Sequence, residues 1–75
     1  GDTDIKLLAH PLFDMAHFSR AMTKAAAEST RASLIFQASL EIAQSLNLVT
    51  MAKAVNEPLY IHYLKESGVD YIDIA

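Results

Sequence analysis

Apolar side chains recur at helical spacing in two long stretches of this chain, and the two patterns are out of phase with each other. From Leu12 to Glu28, apolar residues fall on one helix face, opposite a charged face. A second set of apolar residues runs from Ala32 to Leu46. If both stretches formed one straight helix, this second set would lie on the same side as the charged residues of the first stretch. The sequence therefore predicts helices, with either a turn near Glu28–Ser33 or one long helix that offers opposite faces to two partners.

The residues before this pattern give two shorter signals. A short helix is predicted over Asp4–Ala9, with Asp2 or Thr3 as its cap. Pro11 is well suited to the first turn of the next helix, because proline lacks the amide hydrogen that an interior position would need.

The residues after Leu46 predict a break and two further helices. Asn47–Thr50 reads as a break, followed by a short helix over Thr50–Val55. Pro58 suits the first turn of a last helix over Leu59–Ser67, and Gly68 is a natural stop.

The C-terminal tail, residues 69–75, is β-branched and aromatic, which predicts one short strand. A lone strand needs a partner, so we expect it to pair across an oligomer or to dock loosely. Taken together, residues 1–75 are predicted to form a single all-α domain. It would be a small bundle of three to four helices with a helical hairpin core, ending in this extended tail.

The size of the chain favours association. It has 75 residues and no cysteine, so no disulfide can stabilise it. A single core of this size rarely supplies more than about 3–5 kcal/mol. We therefore expect a homo-oligomer, with a dimer favoured. The predicted interface residues are Met15, Phe18, Met22, Ile35, Ile42 and Leu46.

Charge argues against nucleic acid as a partner. The formal net charge is −3, which opposes non-specific binding to a phosphate backbone. A degenerate helix-turn-helix over residues 48–68, and hence a small DNA-binding regulator, is an alternative hypothesis. The second helix of that motif would carry Lys65 as its only cation, whereas a DNA reader needs several.

Three residues have metal-ligand spacing. His10, Asp14 and His17 stand at i, i+4 and i+7, and imidazole and carboxylate ligands suit zinc or iron. Pro11 interrupts a helix at this point and no fourth ligand is evident, so a metal-binding helical protein is the third hypothesis. No other cofactor is predicted.

The sequence has almost no motif typical of a catalytic site and no segment typical of a membrane span. The chain has no glycine-rich phosphate loop and no Gly-x-Ser-x-Gly context, so we predict that it is not an enzyme. The most apolar window, residues 32–55, contains Glu41 and Lys53, which opposes a membrane span. No signal-peptide pattern is visible, so a cytoplasmic location is predicted. The leading prediction is a non-enzymatic interaction or scaffolding module, which could also take a second protein as its partner.

Overall fold

The computed structural model describes residues 15–74. In this range the chain forms three strands and three helices. In chain order they are β1 (Met15–Phe18), α1 (Arg20–Glu28), α2 (Thr30–Ser45), β2 (Val49–Lys53), α3 (Pro58–Ser67) and β3 (Tyr71–Asp73). The strands form one parallel sheet in the order β1-β2-β3. Each connection between neighbouring strands contains at least one helix, as a parallel pair requires.

The predicted all-α bundle is wrong, because the protein is a mixed helix–strand domain. Residues 15–18 pair with β2 as a strand, so the described part of the helix predicted over Leu12–Glu28 becomes helical only at Arg20. Apolar residues four apart fit a helix, but over four or five residues a half-buried strand fits equally well. Pairing with β2 decides between the two.

The turn between the two long helical stretches lies at Ser29. This residue has an extended backbone, with φ of −139° and ψ of 131°, and its side chain accepts a hydrogen bond from the amide of Ala32. It ends α1 and caps α2. Of the two arrangements predicted for Glu28–Ser33, the hairpin is therefore the one that the structure has.

The C-terminal half differs from the prediction in one element. The helix predicted over Thr50–Val55 is wrong, because residues 49–53 form β2, the central strand of the sheet. The last helix is confirmed, with Pro58 in its first turn and Gly68, at a φ of 86°, ending it. The tail forms a strand over Tyr71–Asp73, as predicted, but its partner is β2 of the same chain.

A single core joins all three helices to one face of the sheet. The Phe18 ring meets the Phe36 ring edge-on, with centroids 5.2 Å apart. The small side chains of Ala52 and Ala54, both buried, let the helices approach the central strand closely. The buried apolar cluster consists of Phe18, Ala26, Phe36, Leu40, Ala43, Ala52, Ala54 and Leu64.

Two buried threonines fix the ends of β2. At its amino end, Thr50 donates from its amide and its hydroxyl to the Asp70 carboxylate, at 2.8 and 3.1 Å. At its carboxyl end, the Thr23 hydroxyl donates to the backbone oxygen of Lys53 at 2.5 Å. The central strand is therefore held to the loop before β3 and to α1 as well as to its sheet neighbours.

Some predictions fall outside this description. The helix over Asp4–Ala9 and the helix start at Pro11 lie among residues 1–14, outside the described range. Within residues 15–74, no helix combines the length and the apolar character that a bilayer crossing needs.

Candidate functional site

The first candidate surface is a row of apolar side chains along α2, on the side opposite the core. The core side of this helix carries Phe36, Leu40 and Ala43, all buried. On the other side, residues spaced three and four apart share one face. We call this face the outer stripe, and it consists of Ile35, Ala38, Ile42 and Leu46. Its large side chains are more than half exposed, and Leu34 beside it is exposed too.

The predicted interface residues separate into two groups. Ile35, Ile42 and Leu46 lie together on the outer stripe. Phe18 belongs to the core of its own chain, and Met22 packs against that core. Met15 is partly buried and lies in β1. The structure thus brings three of the six residues together on one accessible surface.

The second candidate surface is the side of the sheet that faces away from the helices. Thr50 and Ala52 are fully buried under the helices. Because side chains alternate along a strand, the other residues of β2 lie on the opposite side. We call this side the open sheet face, since α1, α2 and α3 all pack on the other one. It carries Met15, His17, Val49, Met51, Lys53, Tyr71 and Asp73.

Strand register orders these residues into rows. Met15 is paired with Val49 at the amino end of the sheet. His17, Met51 and Tyr71 form the next row across all three strands. Lys53 and Asp73 are partners at the carboxyl end of β2 and β3. The open sheet face is therefore apolar at its amino end and polar towards its carboxyl end.

The polar end of this face lies where parallel sheets usually bind ligands. In open and closed parallel sheets alike, binding groups gather at the carboxyl ends of the strands. The backbone here is well fixed, because the amide of Ala54 donates to the Asp73 oxygen at 2.8 Å and Thr23 holds the Lys53 oxygen.

A third polar cluster joins α1 to α3. The Tyr60 hydroxyl donates to the Glu28 carboxylate at 2.5 Å, and the Lys24 ammonium lies 3.1 Å from the same carboxylate. The hydrogen bond from Tyr60, followed by that from Lys24, lowers the pKa of Glu28. The same bond raises the pKa of Tyr60. Every polar group here has a partner, so the cluster ties two helices together.

A shallow depression of about 310 Å³ lies at the turn between α1 and α2, beside Ser29, Ser33 and Leu34. Its one charged lining residue is Glu28, which Lys24 and Tyr60 already engage. The depression therefore offers a ligand no uncommitted charge.

The predicted metal ligands are only partly described. His17 lies in β1 and not on a helix, so the helical spacing that suggested the site does not apply to it. His10 and Asp14 lie outside the described residues. Within residues 15–74, no three histidine, aspartate or glutamate side chains are grouped to hold a metal ion. The metal site stays a prediction.

The segment proposed as a helix-turn-helix has a different structure. Residues 49–53, which would supply its first helix, form β2. Only the second helix is present, as α3. The arrangement that would place a recognition helix in a DNA groove is therefore missing from residues 48–68.

Sequence reasoning missed the open sheet face. The sequence predicts a strand in the tail but not the strand that pairs with it, because Met51 and Val55 also fit a helical repeat. The available signal was the β-branched pair Val49-Thr50, which favours a strand. Comparison of the chain with protein-family models, with curated proteins and with solved structures gave no match.

Proposed function

We infer that this protein is an interaction module that self-associates through the outer stripe of α2. The single observation that carries this proposal is the exposure of Ile35, Ile42 and Leu46 on one helix face, with Ile42 60% exposed. Scattered apolar residues on a surface are ordinary, but a contiguous row along a helix marks an interaction site.

The pattern of the stripe favours a second copy of the chain as the partner. A twofold contact needs a self-complementary surface, in which residue i meets residue j and j meets i. If two α2 helices cross antiparallel near Ala38, Ile35 of each copy lies opposite Ile42 of the other. The small Ala38 side chain at the axis lets the two backbones approach closely.

Charge complementarity supports the same arrangement. Arg31 lies one turn before Ile35, on the same helix face, and is exposed. The antiparallel crossing brings it beside Leu46, the C-cap of the other α2. That helix end has no basic residue of its own in its last turn. A cation near the carboxyl end of a helix stabilises it by about 0.3–1 kcal/mol.

The expected dimer is weak. Burying the exposed part of each large aliphatic side chain of the stripe stabilises the dimer by about 1–2 kcal/mol. Summed over both copies, this stabilisation is comparable to the free-energy cost of association, which is about 4–15 kcal/mol. The contact should therefore depend on concentration, as transient assemblies do.

Sedimentation equilibrium over a concentration series up to about 1 mM tests the proposal. We expect the average mass to rise with concentration in the unaltered protein and to stay monomeric in Ile42→Lys. Leu59→Lys is the matched control, because Leu59 is 59% exposed but lies on α3. Arg31→Gln should weaken association less than Ile42→Lys. A monomer at every concentration, or equal effects of the two lysine substitutions, would overturn the proposal.

A further inference from the structure

We propose that residues 4–13 of this chain dock on the amino half of the open sheet face and form a second layer over the sheet. The amino half consists of Met15, Val49 and Met51. This surface is separate from the outer stripe, which lies on the far side of the helical layer. The two proposals can therefore fail independently.

The type of sheet favours a cover on this face, because parallel sheets occur almost only where both faces are buried. Within residues 15–74, α1, α2 and α3 pack on one face and no helix or strand packs on the other. Right-handed connections that proceed in one direction across a sheet, as in the order β1-β2-β3, place their helices on one face. A second layer must therefore come from chain outside these connections.

The side chains of the amino half are typical of a covered face. The central strand β2 carries Val49 and Met51 on this face, although Ala52 is already buried under the helices on the other. A sheet that leaves one face in water alternates apolar and polar residues, whereas a strand buried on both faces has apolar residues on both. Met15, Val49 and Met51 are only partly buried, so a further layer has apolar surface to cover.

The segment before β1 begins in the right place and has the right length. It joins Met15 at the amino end of an edge strand, directly beside Val49. Three strands span about 10 Å. A segment of about ten residues extends about 15 Å as a helix and about 33 Å as an extended chain, so either form crosses the sheet. The other residue outside the described range is Ala75, which is too short to cover the face.

The sequence of the segment suits an apolar surface. Its large apolar side chains are Ile5, Leu7, Leu8, Leu12 and Phe13. Pro11 divides them, and the residue before a proline is biased away from helical geometry, so we expect the chain to change direction at His10. Such a change would return the first group towards the sheet while the second leads into β1. Joining the two apolar surfaces removes both from water, which favours docking.

A tether favours this segment over a second copy of the chain. Docking of a segment joined to β1 is intramolecular, at an effective concentration in the millimolar range. A second copy would pay the cost of lost translational and rotational freedom. Stacked on the whole open sheet face, it would also bury the exposed Lys53 ammonium, which is costly without a partner charge.

Paramagnetic relaxation enhancement tests the docking in the full chain. The chain has no cysteine, so Lys6→Cys provides a single attachment site for a nitroxide label. We expect the amide signals of Val49 and Met51 to lose intensity, because the label lies over them. The signals of Ile42 and Leu46 should keep theirs, because the outer stripe lies beyond the helical layer. A loss centred on the outer stripe, or no loss at the sheet, would overturn the proposal.

A mixed sample separates the same chain from a second copy. Unlabelled chain enriched in nitrogen-15 is mixed with nitroxide-labelled chain of natural isotope content, so any loss of signal comes from another molecule. We expect the amide signals of β2 to keep their intensity in this sample. A loss equal to that in the singly labelled chain would show that the segment docks on a neighbouring copy, and it would overturn the proposal.

Matched variants complete the test. In the labelled chain, Leu8→Asp should restore the signals of β2, because it puts a charge among the docking side chains. Thr3→Asp, which adds the same charge outside residues 4–13, should not. Met51→Asp should restore the signals from the side of the sheet, and Leu8→Asp still decides if that variant does not fold. Ile42→Lys should leave the loss unchanged. Equal effects of Leu8→Asp and Thr3→Asp would contradict the proposal.

Discussion

The orientation of α2 can be tested by comparing two alanine substitutions two residues apart on that helix. Leu40 is 2% exposed and packs in the core, whereas Ile42 lies on the outer stripe. Truncating a buried leucine to alanine costs about 2–5 kcal/mol, through lost apolar burial and the cavity left behind. We therefore expect Leu40→Ala to lower the free energy of unfolding by that amount.

Ile42→Ala should behave very differently. In the monomer its side chain loses little burial, and alanine has a higher helix propensity than isoleucine by a few tenths of a kcal/mol. The free energy of unfolding should therefore change by no more than about 0.5 kcal/mol, as for other surface substitutions. The two variants thus differ by more than about 1.5 kcal/mol, although both replace a large aliphatic residue by alanine.

Urea denaturation followed by circular dichroism measures both values. The protein concentration must be low enough to keep the chain monomeric, because association would add the stability of the dimer to that of the fold. For a domain of this size, 1 kcal/mol corresponds to about 4–8 °C in Tm, so a thermal scan separates the variants as well. If Ile42→Ala costs as much as Leu40→Ala, the orientation of α2 is refuted, and a bundle that buries Ile42 is favoured.

Three further predictions follow from the polar contacts and the helix ends. Thr50→Val should cost about 1–3 kcal/mol in urea denaturation, because it removes the buried hydroxyl that bonds to Asp70, whereas Thr30→Val at an exposed position should cost far less. The pKa of Glu28 is lowered in the folded state from its ordinary value of 4.5, so its contribution to stability is present above that pH and is lost as the pH falls through the folded pKa. The acid-induced fall in Tm should therefore be smaller in Tyr60→Phe, which lacks the hydrogen bond that lowers this pKa most, and an unchanged fall would refute that cause. Gly68→Ala should destabilise the protein by about 1 kcal/mol, since Gly68 has a φ of 86°, and a Tm equal to that of the unaltered chain would contradict this reasoning.

The helical part of the fold could be predicted from the sequence because its signals are local. Hydrophobic periodicity gave α2 over almost its whole length, and Pro58 and Gly68 marked the two ends of α3. Ser29 was identified as a possible cap, although the sequence alone did not decide between a hairpin and a continuous helix. These features depend on residues within one or two turns of each other.

The sheet could not be predicted because its stabilising contacts join distant residues. Residues 15–18 and 49–53 become strands only by pairing with each other, and both are too short for their periodicity to exclude a helix. The same reason hid the open sheet face, because Lys53 and Asp73 become neighbours only through the register of β2 and β3. The apolar arc predicted from the sequence contains both the outer stripe, such as Ile42, and core residues, such as Phe36. Periodicity alone does not separate the two.

The central position of β2 has a consequence for the order of folding. The contacts between α1 and α2 join residues that are close in sequence. Pairing of β1 with β2, in contrast, requires the chain to close a loop that contains the whole helical hairpin. Closing that long segment costs chain entropy before any strand pairing repays it. We expect the helical hairpin to be formed in the transition state and the sheet to be completed after it. Substitutions such as Thr50→Val would then speed unfolding and leave the refolding rate nearly unchanged.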